Sequence, residues 1–110
     1  MGTPRRLRDD ERALLVALIA GKPEASRLLG SLDETIVEEM DGGGMGSLLF
    51  LRSDNRPRHL GKQLVEKEFA DIDGVPVMVT VNLDERGELF ELDIWKVDFS
   101  PLMRFPFDIK

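Results

Sequence analysis

The chain has no cysteine, no tyrosine and a single histidine, His59. Without cysteine, disulfides, thiol catalysis and cysteine-based zinc sites are excluded. With one histidine, a two-histidine metal site cannot form, and a Ser-His-Asp triad has one candidate base. The absence of tyrosine removes a common acid–base group and a common binding anchor. No apolar run reaches the ~18 residues of a membrane-spanning helix. Positive charge is scarce as well: 15 Lys and Arg face 21 Asp and Glu, a net charge of −6. Such a surface repels phosphate, so no nucleic acid partner is expected. No metal or cofactor is expected either.

What remains is an ordinary globular composition, 42% hydrophobic and 33% charged over 110 residues. That length fits one domain, residues 1–110, with a real core. The start, MGTPRRLRDDERALLVALIAG, mimics a secretion signal. However, Asp9, Asp10 and Glu11 separate the arginines from an apolar run of only eight residues. A capped amphipathic helix is the better reading. Arg6 stands where an N-terminal acylation signal needs Ser or Thr. The expected setting is cytoplasmic, with no membrane attachment.

The apolar spacing predicts a helix from Asp9 or Asp10, acting as N-cap, to Ala20, stopped by Gly21. A second helix follows Pro23, buries Leu28, Leu29 and Leu32, and ends near Gly30. Residues 31–40 are ambiguous. Ser31 and Glu34 spell a capping box, whereas Thr35, Ile36 and Val37 are β-branched. The strand reading is preferred, because the glycine loop DGGGMG and the clear strand SLLFLR follow at once. QLVEKEFA, VPVMVTVN and ELFELDIWKV read as three more strands. The predicted fold is α+β: two N-terminal helices packed on one face of an antiparallel five-stranded meander sheet.

Turn chemistry sets the pairing. A three-residue loop at Ile72-Asp73-Gly74, with Gly74 left-handed, pairs Phe69 with Val77 and Val65 with Val81. A four-residue loop at 84–87 pairs Val81 with Phe90, Val79 with Leu92 and Val77 with Ile94. One face then carries Val65, Phe69, Val77, Val79, Val81, Phe90, Leu92 and Ile94, the expected core. Lys67 interrupts it and marks an edge strand. The other face carries the row Glu66, Thr80 and Glu91, then the row Glu68, Met78 and Asp93, with Trp95 beside Pro76. Residues 63–98 hold ten acids and three bases, a net −7.

Four stretches are candidate sites. The carboxylate face of Glu66, Glu68, Glu91 and Asp93 reads as a solvated sheet surface or as a docking surface for a basic protein with Trp95 as anchor. The glycine loop lacks the Gly-Lys-Ser/Thr ending of phosphate loops and reads as a loose hairpin. The connection LRSDNRPRHLGK is locally basic; Arg56, Arg58 and His59 make a weak anion site or a solvated loop. The tail FSPLMRFPFDIK has too much apolar surface to stand in water. Burial of Phe99, Leu102, Met103, Phe105 and Phe107 is expected, on Trp95's side of the sheet or in a homodimer formed through the tail.

In VEEMDGGGMGSLLFL and ELFELDIWKVDFSPL, the sequence resembles a family of small bacterial proteins classed as a domain of unknown function. The resemblance covers most of the chain. It implies no activity and no catalytic residues. Small acidic α+β proteins are also common among toxin-neutralising immunity proteins, an analogy at the level of the fold. The leading expectation is a non-enzymatic protein-binding module, an immunity-type inhibitor being one version. A small metal- or carboxylate-dependent hydrolase and a structural or oligomerisation module are the alternatives.

Overall fold

A computed structural model describes residues 3–30, 32–40, 46–51 and 58–103. The elements in chain order are β1 (Arg5–Arg6), α1 (Asp9–Ile19), α2 (Ala25–Leu29), a 3-10 turn (Leu32–Glu34), β2 (Ile36–Glu39), β3 (Leu48–Leu51), β4 (Leu60–Ala70), β5 (Pro76–Asp84) and β6 (Leu89–Lys96). The architecture is α+β, as expected.

The sheet differs from the expected five-stranded meander in two ways. Among the described residues it has six strands, all antiparallel, in the order β1-β2-β3-β6-β5-β4. The added strand, β1, has two residues and pairs with β2. Two residues are too few to leave a period-2 pattern in the sequence. The chain also does not meander throughout. After β3 it crosses to the far edge, and β4, β5 and β6 meander back until β6 pairs with β3 through Leu48–Leu92 and Leu49–Glu91. Ser47 locks this seam: Oγ accepts from Ile94 N at 2.8 Å and donates to Ile94 O at 3.0 Å.

Residues 32–40 combine features of the two readings, and Ser31 lies outside the described residues. The acidic turn at Leu32–Glu34 is 3-10, and the β-branched residues open β2. The N-cap of α1 is Arg8 rather than Asp9 or Asp10. Glu11 accepts the Arg8 N–H at 2.8 Å and the Arg5 guanidinium through both oxygens at 2.8 Å. A bidentate arginine and a helix-start N–H together make burial of that carboxylate tolerable.

The alternation places one face of the sheet inward. Val37, Leu48, Phe50, Val77, Val79, Val81, Leu83, Leu92 and Ile94 share one buried cluster with Leu14, Leu15, Leu18, Ile19, Leu28 and Leu32 of the helical segment. Each such side chain contributes roughly 1.5–3 kcal/mol on burial. Val65 and Phe69 pack against the cluster from β4, which is an edge strand as Lys67 suggested.

The β4–β5 hairpin has the expected register, Phe69 with Val77 and Val65 with Val81. Gly74 is left-handed at φ 83°, and Asp71 N donates to Val75 O. The β5–β6 register differs by two residues. Val77, Val79 and Val81 face Lys96, Ile94 and Leu92. Between Asn82–Glu91 and Leu83–Leu89 the ladder skips Phe90. Phe90 therefore leaves the core position expected for it and lies under the Arg58 guanidinium, 5.1 Å from ring centre to Cζ. The cause is Asp84, whose Oδ1 accepts the N–H groups of Arg86 and Glu88 at 2.9 and 3.0 Å and so widens the turn.

Candidate functional site

A two-residue shift keeps the side chains of residues 91–96 on their own faces, while Leu89 and Phe90, at the skip in the ladder, change theirs. The carboxylate face therefore survives, but its rows change. Glu66, Thr80 and Asp93 now stand in line, as do Glu68, Met78 and Trp95. Glu91 stands opposite Asn82 rather than in Glu66's row, and Trp95 is beside Met78 rather than Pro76. Neutral donors orient three of these acids. Thr80 Oγ1 donates to Glu66 at 3.1 Å and Asn82 Nδ2 to Glu91 at 3.4 Å, and Asp93 Oδ1 lies 3.3 Å from Ser47 Oγ, whose single proton it shares with Ile94 O. Among the described residues, no lysine or arginine pairs with Glu66, Glu68, Glu91 or Asp93.

Trp95 is 37% exposed, and Phe99 stacks on it with ring centres 5.7 Å apart and an interplanar angle of 21°. Phe99 is itself 75% exposed and has φ 61°, a region that bulky side chains avoid. A tight turn holds it there. Phe99 N donates to Lys96 O at 2.8 Å, and Asp98 Oδ1 accepts both the N–H and the hydroxyl of Ser100. A strained backbone presenting an exposed aromatic ring is a feature found at functional sites.

Within the single chain, and among the described tail residues, the expected burial holds for Leu102, which packs partly against the core. Phe99 and Met103 are exposed, Met103 at 58%. The reason is that the tail is anchored by its backbone rather than by apolar side chains. Met103 N donates to Asp71 Oδ2 at 2.8 Å and Pro101 O accepts from Lys96 Nζ at 3.4 Å. Phe105 and Phe107 lie outside the described residues.

Behind Trp95 is a group that the sequence reading passed over. Lys96 points into the core, and its side chain and that of Asp71 have 0% exposure. Nζ lies 2.6 Å from Asp73 Oδ2 and 2.9 Å from Asp71 Oδ2. The Asp73 bond holds the ammonium pKa above its ordinary value, against the opposing effect of burial. Burial pushes the Asp71 carboxyl up. The Met103 N–H, the Lys96 ammonium and the Ile72 N–H outweigh it and hold the pKa at about 2. Parity alone places residue 96 on the inward face, which was the available signal.

The basic connection is organised differently from the anion-site reading. Arg58 is almost buried, and each of its guanidinium nitrogens donates within the chain: Nε to Asp84 Oδ2 at 3.0 Å, and the other two to the carbonyls of Phe50 and Leu89. It joins β3, β5 and β6. His59 is exposed and meets Glu85 through its backbone N–H at 2.9 Å. Arg56 and the glycines at 42–44 lie outside the described residues. A separate shallow cleft is lined by Arg27, Leu28, Thr35, Phe50, Leu51, Glu88 and Leu89, and shares no residue with the carboxylate face. Among the described residues there is no group of three metal-ligating side chains, and no helix long and apolar enough to cross a membrane.

A family model for a domain of unknown function, DUF6984, matches residues 4–106. The chain belongs to this family. The match spans every described element of the DUF6984 chain, from β1 to β6. No curated protein and no solved structure matches it.

Proposed function

We propose that this DUF6984 protein is a non-enzymatic binding module of the bacterial cytoplasm that docks a basic protein partner on its outward sheet face. One observation carries the reading. The exposed Trp95–Phe99 stack stands beside carboxylates that have no basic counter-ion among the described residues. Interface hot spots combine a rigid aromatic anchor with a charged surround, and complementary charge speeds encounter. An immunity-type inhibitor that neutralises a basic toxin is one concrete form. Affinity capture from the source cell with wild-type protein, Trp95→Ala, and a Glu66→Gln/Glu91→Gln/Asp93→Asn variant tests it, each in low and high salt. The expected result is one partner, weakened by salt and lost with either variant. A partner indifferent to salt and to both variants would overturn the reading.

A second copy is the other occupant that an observation favours, because Phe99 and Met103 are exposed in the single chain. Light scattering of the full chain against one ending at Ser100 decides it. A mass halved by truncation supports a homodimer through the tail.

A further inference from the structure

We propose that β4 is a docking edge, and that an extended basic segment of the partner adds to it as a further antiparallel strand. This rests on the basic-partner reading above and specifies how the partner is held. β4 is the longest strand at 11 residues, and it ends the sheet. Among the described residues it is paired only with β5. The Asp71 N–H closes the hairpin on Val75 O. In an antiparallel ladder, main-chain groups alternate in direction. Stepping back by twos, Phe69, Lys67 and Val65 bond toward β5, which leaves the N–H and C=O groups of Ala70, Glu68 and Glu66 facing the open side. An extended segment takes up such groups.

Charge decides the occupant. A second copy pairing about a two-fold axis at Lys67 would set Lys67 against Lys67 and Glu66 against Glu68. Pairing about Glu66 would set that glutamate against itself. Like charges directly opposite destabilise a ladder, so self-pairing centred on these charged residues is disfavoured. A strand with Lys or Arg opposite Glu66 and Glu68 reverses both terms, and its alternate apolar residues meet half-buried Val65 and Phe69 on the inner side. Asp93, in the row of Glu66 across Thr80, adds attraction on the same face. Register shifts between Leu60 and Lys62 and between Gln63 and Val65 confine the regular edge to residues 65–70.

The probe is a capped seven-residue peptide alternating Val and Lys. Opposite Glu66 and Glu68 the lysine N–H groups face β4 and the valine N–H groups face away. Two further peptides are N-methylated, one at the lysines and one at the valines; all three keep the same charges and side chains. Binding is followed by titration and by amide hydrogen exchange of the full chain. The parent and valine-methylated peptides are expected to bind and to slow exchange at Glu66, Glu68 and Ala70 at least tenfold. The lysine-methylated peptide is expected to lose that protection, and Glu66→Lys/Glu68→Lys to weaken binding at least tenfold. Equal binding of all three peptides, with changes confined to Trp95 and Asp93, would overturn strand addition and leave face docking standing. No binding by any peptide would count against both. Slow exchange at these amides in the free chain would show the edge already occupied and overturn the proposal.

Discussion

Trp95 and Lys96 are neighbours in β6, yet the indole faces outward and the ammonium inward. Composition alone suggests the reverse. The sheet decides by parity: residue 96 shares the inward face with Leu92 and Ile94, and residue 95 the outward face with Glu91 and Asp93. The inner charge is tolerated because two carboxylates from the β4–β5 turn meet it. The outer carboxylates have no such partner among the described residues. Charge inside this protein is a structural device, and the outward carboxylates are the charges that the proposed docking would use.

The contrast breaks most visibly at Lys96. Lys96→Met should produce the largest fall in melting temperature among these variants, because Asp71 then stays buried without its cation. Adding Asp71→Asn should recover part of the loss. An unchanged melting temperature for Lys96→Met would show that the ion cluster does not hold the fold.

Next comes Asp84, which binds Arg58 and caps the β5–β6 turn. Asp84→Ala should cost about 3–5 kcal/mol in urea unfolding, as removal of one buried partner does. Arg12→Ala breaks an exposed pair with Asp33 (2.9 Å) and should stay within about 0.5 kcal/mol. Similar losses for both would erase the distinction between inner and outer charge.

Acid sharpens the comparison. Asp71 has a folded pKa of about 2, below the ordinary value near 3.9. A depressed carboxylate pKa stabilises the fold above the unfolded value, and that stabilisation is lost as pH falls through the folded one. Stability should therefore drop between about pH 4 and pH 2, and Asp71→Asn should flatten the drop in urea midpoints measured over that range.

Turn geometry has a smaller effect. Gly74→Val should cost at least about 1 kcal/mol, since a β-branched residue resists positive φ. A neutral effect on the urea midpoint would contradict the β4–β5 register, which sets the outward face.

The smallest effect on stability belongs to the outer aromatics. Phe99→Gly relieves about 1 kcal/mol of backbone strain and loses a ring stack of similar size, so the net change should lie within about 1 kcal/mol. Partner capture should fall nonetheless. Retained capture would remove Phe99 from the site.

Much of this arrangement was legible in the linear chain. The period-2 alternation in 76–84 and 91–96 fixes which side chains share a face, and Gly74 with its three-residue turn fixes one register. Both are local properties, set by pleat and by backbone sterics. The pairing of β3 with β6, the two-residue shift of β6 and the ion partners of Lys96 belong to tertiary structure alone. An even shift leaves the alternation unchanged, so no amphipathic pattern can detect it. Strand order depends on contacts such as Ser47 with Ile94, far apart along the chain. A lysine reads as solvent-facing until the fold brings Asp71 and Asp73 within 3 Å of it, because only their proximity offsets the cost of removing its charge from water.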